Sequence, residues 1–470
     1  MNSDLLERAE EAAGFLMDTG EPILCFSHYD CDGIAAAVIM HEMLDRAGKT
    51  FEQVFLDELT EERLAEELEG RDQQVVVFTD IGSGQAETVQ QLLGDREVVV
   101  IDHHEPQQEI DLTAHVNPHL VGIDGGEVIS GAGVTYLVAR AMDNENRDLV
   151  PYALIGATGD IQTDGDDYLG LNEELMQEAL EHDMVEVKKG LKLFGRQGKS
   201  IVKALQYTTD PFLEGITDNP SGAIQFLKDV GIDLKGEDGS WRSLADLSEE
   251  EERRLVHGLI TRGYGDIEKL LGDVYLLRNG WEIREFASLL NACGRLERPE
   301  DGLKICLEDD KELAFRLKRE YGKRIADYLS YVEEDDGENG ATVDMEYGTL
   351  IDGDRRIHPN MIGTVATICI KSDIVEGPVV VGLAEKEEDF YKVSGRVKDD
   401  MVDEGFALNE VMEEACQEVG GEGGGHSAAA GGKIPKAERE RFIKVIGESL
   451  KESVAGEEGG DTEGDVITYG

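Results

Sequence analysis

Positive charge is what this sequence has least of. Its 470 residues hold 45 Lys and Arg against 101 Asp and Glu, a formal net charge of −56. An acidic balance ordinarily argues against nucleic-acid binding. At multimolar salt that argument loses its force. Self-repulsion is then screened within a few ångströms, a hydrated carboxylate surface keeps the protein soluble, and long-range attraction between charges is weak in any case. The acid runs along the whole chain rather than collecting in a tail, so adaptation to a salty cytoplasm is preferred to a surface for basic partners.

Long apolar runs are also missing. None approaches the ~20 residues of a membrane span, and Met1 to Glu10 is too acidic and polar for a secretory signal, so a cytoplasmic protein with no membrane partner is expected. Cysteine is sparse: Cys25, Cys31, Cys293, Cys306, Cys369 and Cys416 form no CxxC pair. Buried free thiols are expected rather than disulfides or a zinc site. There is no internal repeat. What remains is 40% hydrophobic and long enough for two or three cored domains.

The first part reads as alternating strands and helices. Ile23–Phe26, Gln74–Phe78 and Glu97–Ile101 are apolar runs of the kind buried in parallel sheets, and Gly33–Arg46 is an Ala-rich helix. An α/β domain with a mostly parallel sheet follows. Residues 191–220 read as a connector and 221–275 as mostly helical. In that stretch Ser248 caps a helix opened by Glu249 to Glu252, a solvated acidic first turn with Glu251 at the capping-box position. Leu313, Leu317, Tyr321, Ile325, Tyr328 and Val332 keep helical spacing, and Glu333 to Gly340 reads as a turn or loop. Gly456 to Gly470 reads as disordered.

Four segments place acid or imidazole where an apolar strand is expected to end: Ser27-His28-Tyr29-Asp30-Cys31-Asp32-Gly33, Thr79-Asp80, Asp102-His103-His104, and Gly156 to Asp160. In open α/β sheets the ligand crevice lies at the carboxyl ends of the strands, so these segments should converge there. Mixed carboxylate and imidazole donors suit Mn²⁺ or a similar ion, with Mg²⁺ or Co²⁺ as substitutes. Two such ions can share a carboxylate and activate water against a phosphodiester. Gly33 lets the chain turn into a helix whose N-terminus favours anions. Tyr29 and Phe194 are both candidates to stack on bases, with core packing the preferred role for Phe194.

These segments resemble the motifs of the DHH phosphoesterase superfamily. Gly423-Gly424-Gly425-His426, followed by Ala428 to Gly431, resembles the glycine-rich motif of its companion DHHA1 domain. Arg284-Glu-Phe286, Asn291-Ala-Cys293-Gly294-Arg295, Ser394-Gly395-Arg396 and Leu193-Phe-Gly195-Arg196 are similar to segments of the RecJ-like archaeal single-strand nucleases, and the acidity fits a haloarchaeal member. The resemblance implies an α/β protein with a parallel-sheet DHH domain over 1–195, a connector and helical insert over 196–280, an α/β DHHA1 domain over 281–450 and an acidic tail over 451–470. It implies two Mn²⁺ ions held by Asp30, Asp32, Asp80, His103 and Asp160, with Asp80 bridging.

His104 would face the scissile phosphate, Asp102 would orient the His pair, and His28 would ligate metal or touch substrate. Gly423, Gly424, Gly425 and His426 would hold the nucleic-acid backbone as a phosphate nest, with Arg295 and Arg396 offering bidentate phosphate contacts. The implied activity is a 5′-to-3′ exonuclease on single-stranded DNA, in replication or repair. The insert matches in placement that of the nuclease associated with the GINS replication complex. Alternatives are a 3′-to-5′ RNA or oligonucleotide exonuclease, another DHH phosphodiesterase, or a catalytically inert replication-complex subunit.

Overall fold

The structure, a computed structural model, describes residues 2–458 apart from positions 95, 109–111, 166, 209, 210, 212, 264–266, 335–339, 373, 387 and 388. It divides into two compact units, Met1–Lys318 and Arg319–Gly470.

The first unit opens with α1 (Ser3–Asp18), β1 (Ile23–His28), α2 (Cys31–Arg46), β2 (Phe51–Leu56), α3 (Glu61–Leu68), β3 (Val75–Thr79), α4 (Ala86–Leu93), β4 (Glu97–Ile101) and β5 (Ala114–Val116). The strands form one parallel sheet in the order β2-β1-β3-β4-β5. α5 (Gly125–Val128), α6 (Gly131–Met142), α7 (Val150–Gly159), the short strands β6 (Thr163–Asp164) and β7 (Asp167–Tyr168), and α8 (Leu171–Glu181) follow. Every residue of β3 is buried, as is all of β4 except its first residue, because helices cover both faces. Leu24, Phe26, Val76 and Phe78 pack with Leu64 of α3 and Val89 of α4. α2 and α6 cover the other face.

Strand order reverses at β1, with β2 on one side and β3 on the other. The loops leaving β1 and β3 therefore diverge and leave a crevice at their carboxyl ends. The register aligns those ends: Ser27, Thr79, Ile101 and Val116 stand side by side. The next residues, His28, Asp80, Asp102 and Asn117, thus emerge from neighbouring strands ~4.8 Å apart.

The segment at 150–160 departs from the expected strand. It is helix α7, with Asp160 as its C-cap residue. A short apolar run such as Ala153-Leu-Ile155-Gly-Ala157 does not distinguish strand from helix by pattern alone, and Pro151 in the first turn favours the helix.

The insert is a small cored body. β8 (Val185–Leu191), α9 (Ile201–Gln206), α10 (Pro220–Asp229), α11 (Glu249–Thr261) and β9 (Leu271–Leu277) enclose Leu205, Phe226, Leu227, Leu244, Leu255 and Leu259, and β8 pairs antiparallel with β9. Ser248 and Glu251 form the expected capping box. The acidic turn is only partly solvated, however. Glu251 pairs with Arg242 at 2.8 Å, and Glu252 binds Arg196 through two hydrogen bonds of 3.1 Å.

α12 (Ile283–Arg295), α13 (Pro299–Glu308) and α14 (Lys311–Glu333) come next. The sequence suggests a boundary at 281, whereas α12 and α13 pack on α2 and α7 within the first unit. The buried stripe Ile283, Phe286, Ala287 and Leu290 of α12 accounts for this.

The second unit contains β10 (Thr342–Met345), β11 (Gly348–Asp352), α15 (Pro359–Lys371), β12 (Val379–Glu385), β13 (Phe390–Val397), α16 (Asp399–Asp403), α17 (Leu408–Glu418), β14 (Glu422–His426), β15 (Ala429–Pro435) and α18 (Arg439–Glu458). Its mixed sheet runs β10-β11-β12-β13-β15-β14 around a core of Leu350, Val381, Val393, Met412, Ile434 and Phe442. The glycine run is neither nest nor loop but edge strand β14, paired with β15. A nest needs alternating helical conformations, and this run is strand-paired throughout, with Gly425 at a positive φ of 128°. Glycine is required there by close packing, since a Cβ on Gly423 would lie 2.5 Å from the Met412 carbonyl oxygen of α17.

The tail starts later than expected. α18 continues to Glu458 because Leu450 is buried and Val454 packs on the same core. Positions 459–470 lie outside the described residues, as does most of the loop expected at 333–340. All six cysteines are free, five of them buried and Cys306 half-buried. Among the described residues no helix is long and apolar enough to cross a membrane.

Candidate metal centre

The four sequence segments converge in the first unit. Asp30 caps α2, its carboxylate accepting the Gly33 N–H at 3.1 Å, and that turn directs Asp32 inward. Asp32 is fully buried and accepts the N–H groups of Gly131 at 2.6 Å and Ala132 at 3.0 Å, at the start of α6. Asp80 follows β3 with φ 59°, a left-handed conformation that Asp tolerates better than most residues. Asp160 arrives from the end of α7. Small residues allow α7 this approach: a Cβ on Gly156 would lie 2.0 Å from Asp32 Oδ1 and 2.7 Å from Ala132 Cβ. Gly156→Ala is therefore expected to cost about 1–3 kcal/mol by overpacking. It should also weaken Mn²⁺ binding by displacing Asp32, which thermal denaturation and metal titration would show.

His103 is the hub. Its Nδ1–H donates to the Gly125 carbonyl at 2.8 Å, which leaves Nε2 as the free nitrogen of the neutral ring. Nε2 lies 3.3 Å from Asp80 Oδ1, 3.4 Å from Asp160 Oδ2 and 3.8 Å from Asp32 Oδ2. Both His103 Nε2 and Asp80 Oδ1 are buried without a hydrogen-bond partner. Buried polar atoms are rarely left so. A ring fixed by a backbone carbonyl on one nitrogen, with the other aimed into carboxylates, is the usual environment of a metal-bound imidazole. Asp80 has a second partner: His28 Nδ1 is 3.6 Å from its Oδ2 and 3.1 Å from Asp30 Oδ1. Among the described residues the donor atoms form three overlapping sets: His28 with Asp30 and Asp80, Asp32 with His103 and Asp160, and Asp80 with His103 and His104. Asp80 faces His28 and His103 with different oxygens.

The electrostatics fit cations. Burial, then the charge of Asp80, pushes Asp32 up to about 7. Burial, then Asp32, Asp30 and Asp80, raises Asp160 well above the carboxylate range. Burial alone would lower His103, but the close Asp80 carboxylate, with the charges of Asp32 and Asp160, outweighs it and raises it. His28 is raised likewise by Asp30 and Asp80 against the effect of burial. Carboxylates that crowd one another in this way are relieved by divalent ions. The oxygen and nitrogen donors at hand match a borderline ion such as Mn²⁺.

Asp102 plays a different part. It is fully buried, and its oxygens accept from His103 N at 2.8 Å, His104 N at 3.2 Å, His104 Nδ1 at 2.8 Å and Ser83 N at 2.8 Å. Burial opposes its ionisation, but these bonds and the His charges hold it well below the usual range. Its acceptor positions are thereby engaged, and it orients the loop. His104 is held by Asp102 and exposes the rest of its ring, with 53% of its side chain accessible.

Ser83, His115, Asn117 and Gln162, not singled out in the sequence, complete the support together with Asn291 of the family-like segment in α12. Ser83 Oγ meets His115 Nε2 at 2.9 Å, and Asn117 Nδ2 reaches Ser83 Oγ at 2.9 Å and the His104 carbonyl at 2.8 Å. Gln162 Nε2 bonds the same Gly125 carbonyl that holds His103. Asn291 of α12 accepts the Cys31 N–H at 3.2 Å. The run His115-Val-Asn117-Pro-His119 after a short strand was the available signal.

Arg295 is half-buried at the end of α12, and its charge reaches Tyr29. Tyr29 stands edge-on to His28. The other substrate candidates lie in the second unit. Arg396 and His426 both pair with Ala429, so they occupy one row of the sheet. Arg396 Nε also bonds Thr367 Oγ1 at 2.9 Å. Phe194, read from sequence as core, is 53% exposed.

Residues 22–159 match the DHH family, N-terminal domain, 193–266 the DHH-CID domain and 341–452 the DHHA1 domain. An uncharacterized protein of Methanocaldococcus jannaschii is 31% identical over 445 residues, 91% of this chain and 94% of that protein. The chain belongs to the DHH/DHHA1 family. Solved structures share the fold of this DHH/DHHA1 chain. RecJ from Thermus thermophilus in complex with Mn²⁺ is 18% identical with a TM-score of 0.58, covering 96% of this chain, which spans 55% of that RecJ. An exonuclease RecJ bound to manganese is 19% identical with a TM-score of 0.54, covering 96% of this chain and 97% of its own. CDC45 from Entamoeba histolytica is 15% identical with a TM-score of 0.63, covering 95% and 99%.

Proposed function

We propose that this protein hydrolyses the phosphodiesters of single-stranded nucleic acid, DNA in preference to RNA and from the 5′ end, in replication or repair. The observation that carries this reading is the unpartnered His103 Nε2 among the carboxylates of Asp32, Asp80 and Asp160. Asp30, Asp32, Asp80, His103 and Asp160 would hold two divalent ions, Mn²⁺ first, with Asp80 serving both. His28 joins the set beside Asp30. When bound, such ions acidify water and neutralise charge on the phosphorus oxygens. Asp102 fixes His104, whose exposed ring meets the scissile phosphate. Arg295 offers the strand a phosphate contact within the first unit, and Arg396, Gly423, Gly424, Gly425 and His426 form a separate set of candidate backbone contacts on the second. The 5′ polarity and the DNA preference rest on family likeness.

End-labelled DNA and RNA oligonucleotides, offered with Mn²⁺ at high KCl, test the proposal. Progressive shortening of single-stranded DNA from its 5′ end is expected. Degradation of RNA alone, or from the 3′ end, would move the protein to the oligonucleotide-exonuclease alternative. The separately cored insert and the fold shared with CDC45 also favour a replication-complex partner, and co-purification with GINS is the check.

A further inference from the structure

The basic residues of this acidic chain are unevenly placed. Between positions 188 and 207 there are six, Lys188, Lys189, Lys192, Arg196, Lys199 and Lys203, and no acid, in a chain with 45 basic residues to 101 acidic. Some are held by acids from elsewhere, Lys189 by Asp273 at 2.7 Å and Arg196 by Glu252 at 3.1 Å. Lys203 is exposed on α9. Lys199 sits between two rings, its Nζ 4.9 Å from the centre of Phe194 and 5.1 Å from that of Tyr207. Both rings face solvent, at 53% and 51% exposure.

This surface is rigidly tied to the metal-bearing loops. Glu285 of α12, fully buried, accepts the N–H groups of Gln197 at 2.8 Å and Gly198 at 2.7 Å and pairs with Lys318. Six residues along the same helix, Asn291 binds the Cys31 N–H between Asp30 and Asp32. One helix therefore anchors both, with about 9 Å of helical rise between the anchors.

We propose that Phe194, Lys199 and Tyr207 form a stacking platform for the bases of single-stranded nucleic acid, beside the metal centre and distinct from it. Stacking suits this protein physically. Charge attraction to phosphate fades with salt, whereas an aromatic face accepts any base and gains from a cation lying over it. A surface of net charge −56 has little general attraction for a polyanion, so an uncharged recognition element has most to contribute. The platform rests on the reading that the protein binds single strands.

The test is fluorescence-anisotropy titration of a labelled single-stranded DNA long enough to span both regions, with EDTA present, against the full chain. Stacking contributes roughly 5- to 150-fold in affinity per base, so Phe194→Ala with Tyr207→Ala should weaken binding on the order of 100-fold. Hydrolysis of a dinucleotide with Mn²⁺, too short to reach the platform, keeps its rate. The swap Phe194→Tyr with Tyr207→Phe should retain affinity. Unchanged binding in the Ala pair, or equal loss in the aromatic swap, overturns the platform while leaving the hydrolase reading intact. A wild-type chain that neither binds the oligonucleotide nor cleaves the dinucleotide overturns both.

Discussion

Asp80→Asn is expected to reduce metal-dependent hydrolysis on the order of 10³-fold, because several kcal/mol of charge stabilisation depend on the ions it bridges. The substitution is conservative in every other respect. Asn fills the same space and tolerates the φ of 59° at this position. Asp80 is 2% exposed, and its Oδ1 has no hydrogen-bond partner to lose. Its charge raises the proton affinity of Asp32 and Asp160 but also favours the charged forms of His103 and His28, so without metal the two effects oppose and the variant should stay close to the parent in stability. With Mn²⁺ at a hundred times its Kd, the parent should gain about 2.7 kcal/mol, roughly 5 °C in melting temperature, and the variant should gain little. Full hydrolytic activity in Asp80→Asn would refute the site.

Asp102→Ala should act first on stability. Asp102 accepts four N–H bonds from Ser83, His103 and His104 in a fully buried position. Removing the carboxylate leaves the backbone donors of the loop unpaired, at a cost of about 3–5 kcal/mol, or on the order of 10 °C in melting temperature. Where the variant remains folded, hydrolysis should fall about 10- to 100-fold, the usual effect of removing an orienting group behind the working residues. A thermal scan paired with initial rates checks both. An Ala variant as stable as the parent would mean that the loop after β4 is held by something else.

The sheet and most of the centre were legible in the sequence, for physical reasons. Strands covered on both faces must be apolar throughout, so β3 and β4 stand out. Strands that end in register must deliver their next residues to one edge, so His28, Asp80 and Asp102 could be brought together without coordinates. Edge strand β2, with Glu52 and Gln53 half-exposed, lacks that signature and does not stand out.

Helix α7 reads as a strand because a run of five apolar or small residues fits either period. What places Asp160 is Gly156 lying against Asp32, a tertiary fact. The role of β14 is hidden for the same reason: within a run that reads as a phosphate nest, Gly423 is required by the closeness of Met412 in α17. The residue type of Phe194 points to a core, and only burial shows otherwise. Gln162 carries no signal, and Asn291, quoted within a family-like segment, shows no role there, since each acts through backbone groups brought near by folding.

The central claim is that His28, Asp30, Asp32, Asp80, His103 and Asp160 hold a pair of divalent ions. Electron paramagnetic resonance during Mn²⁺ titration tests it most directly. The expected result is two ions per chain with a spin-coupled spectrum, reduced to uncoupled or absent binding in Asp80→Asn. A single uncoupled ion in the parent, or a coupled pair that survives the loss of Asp80, would contradict it.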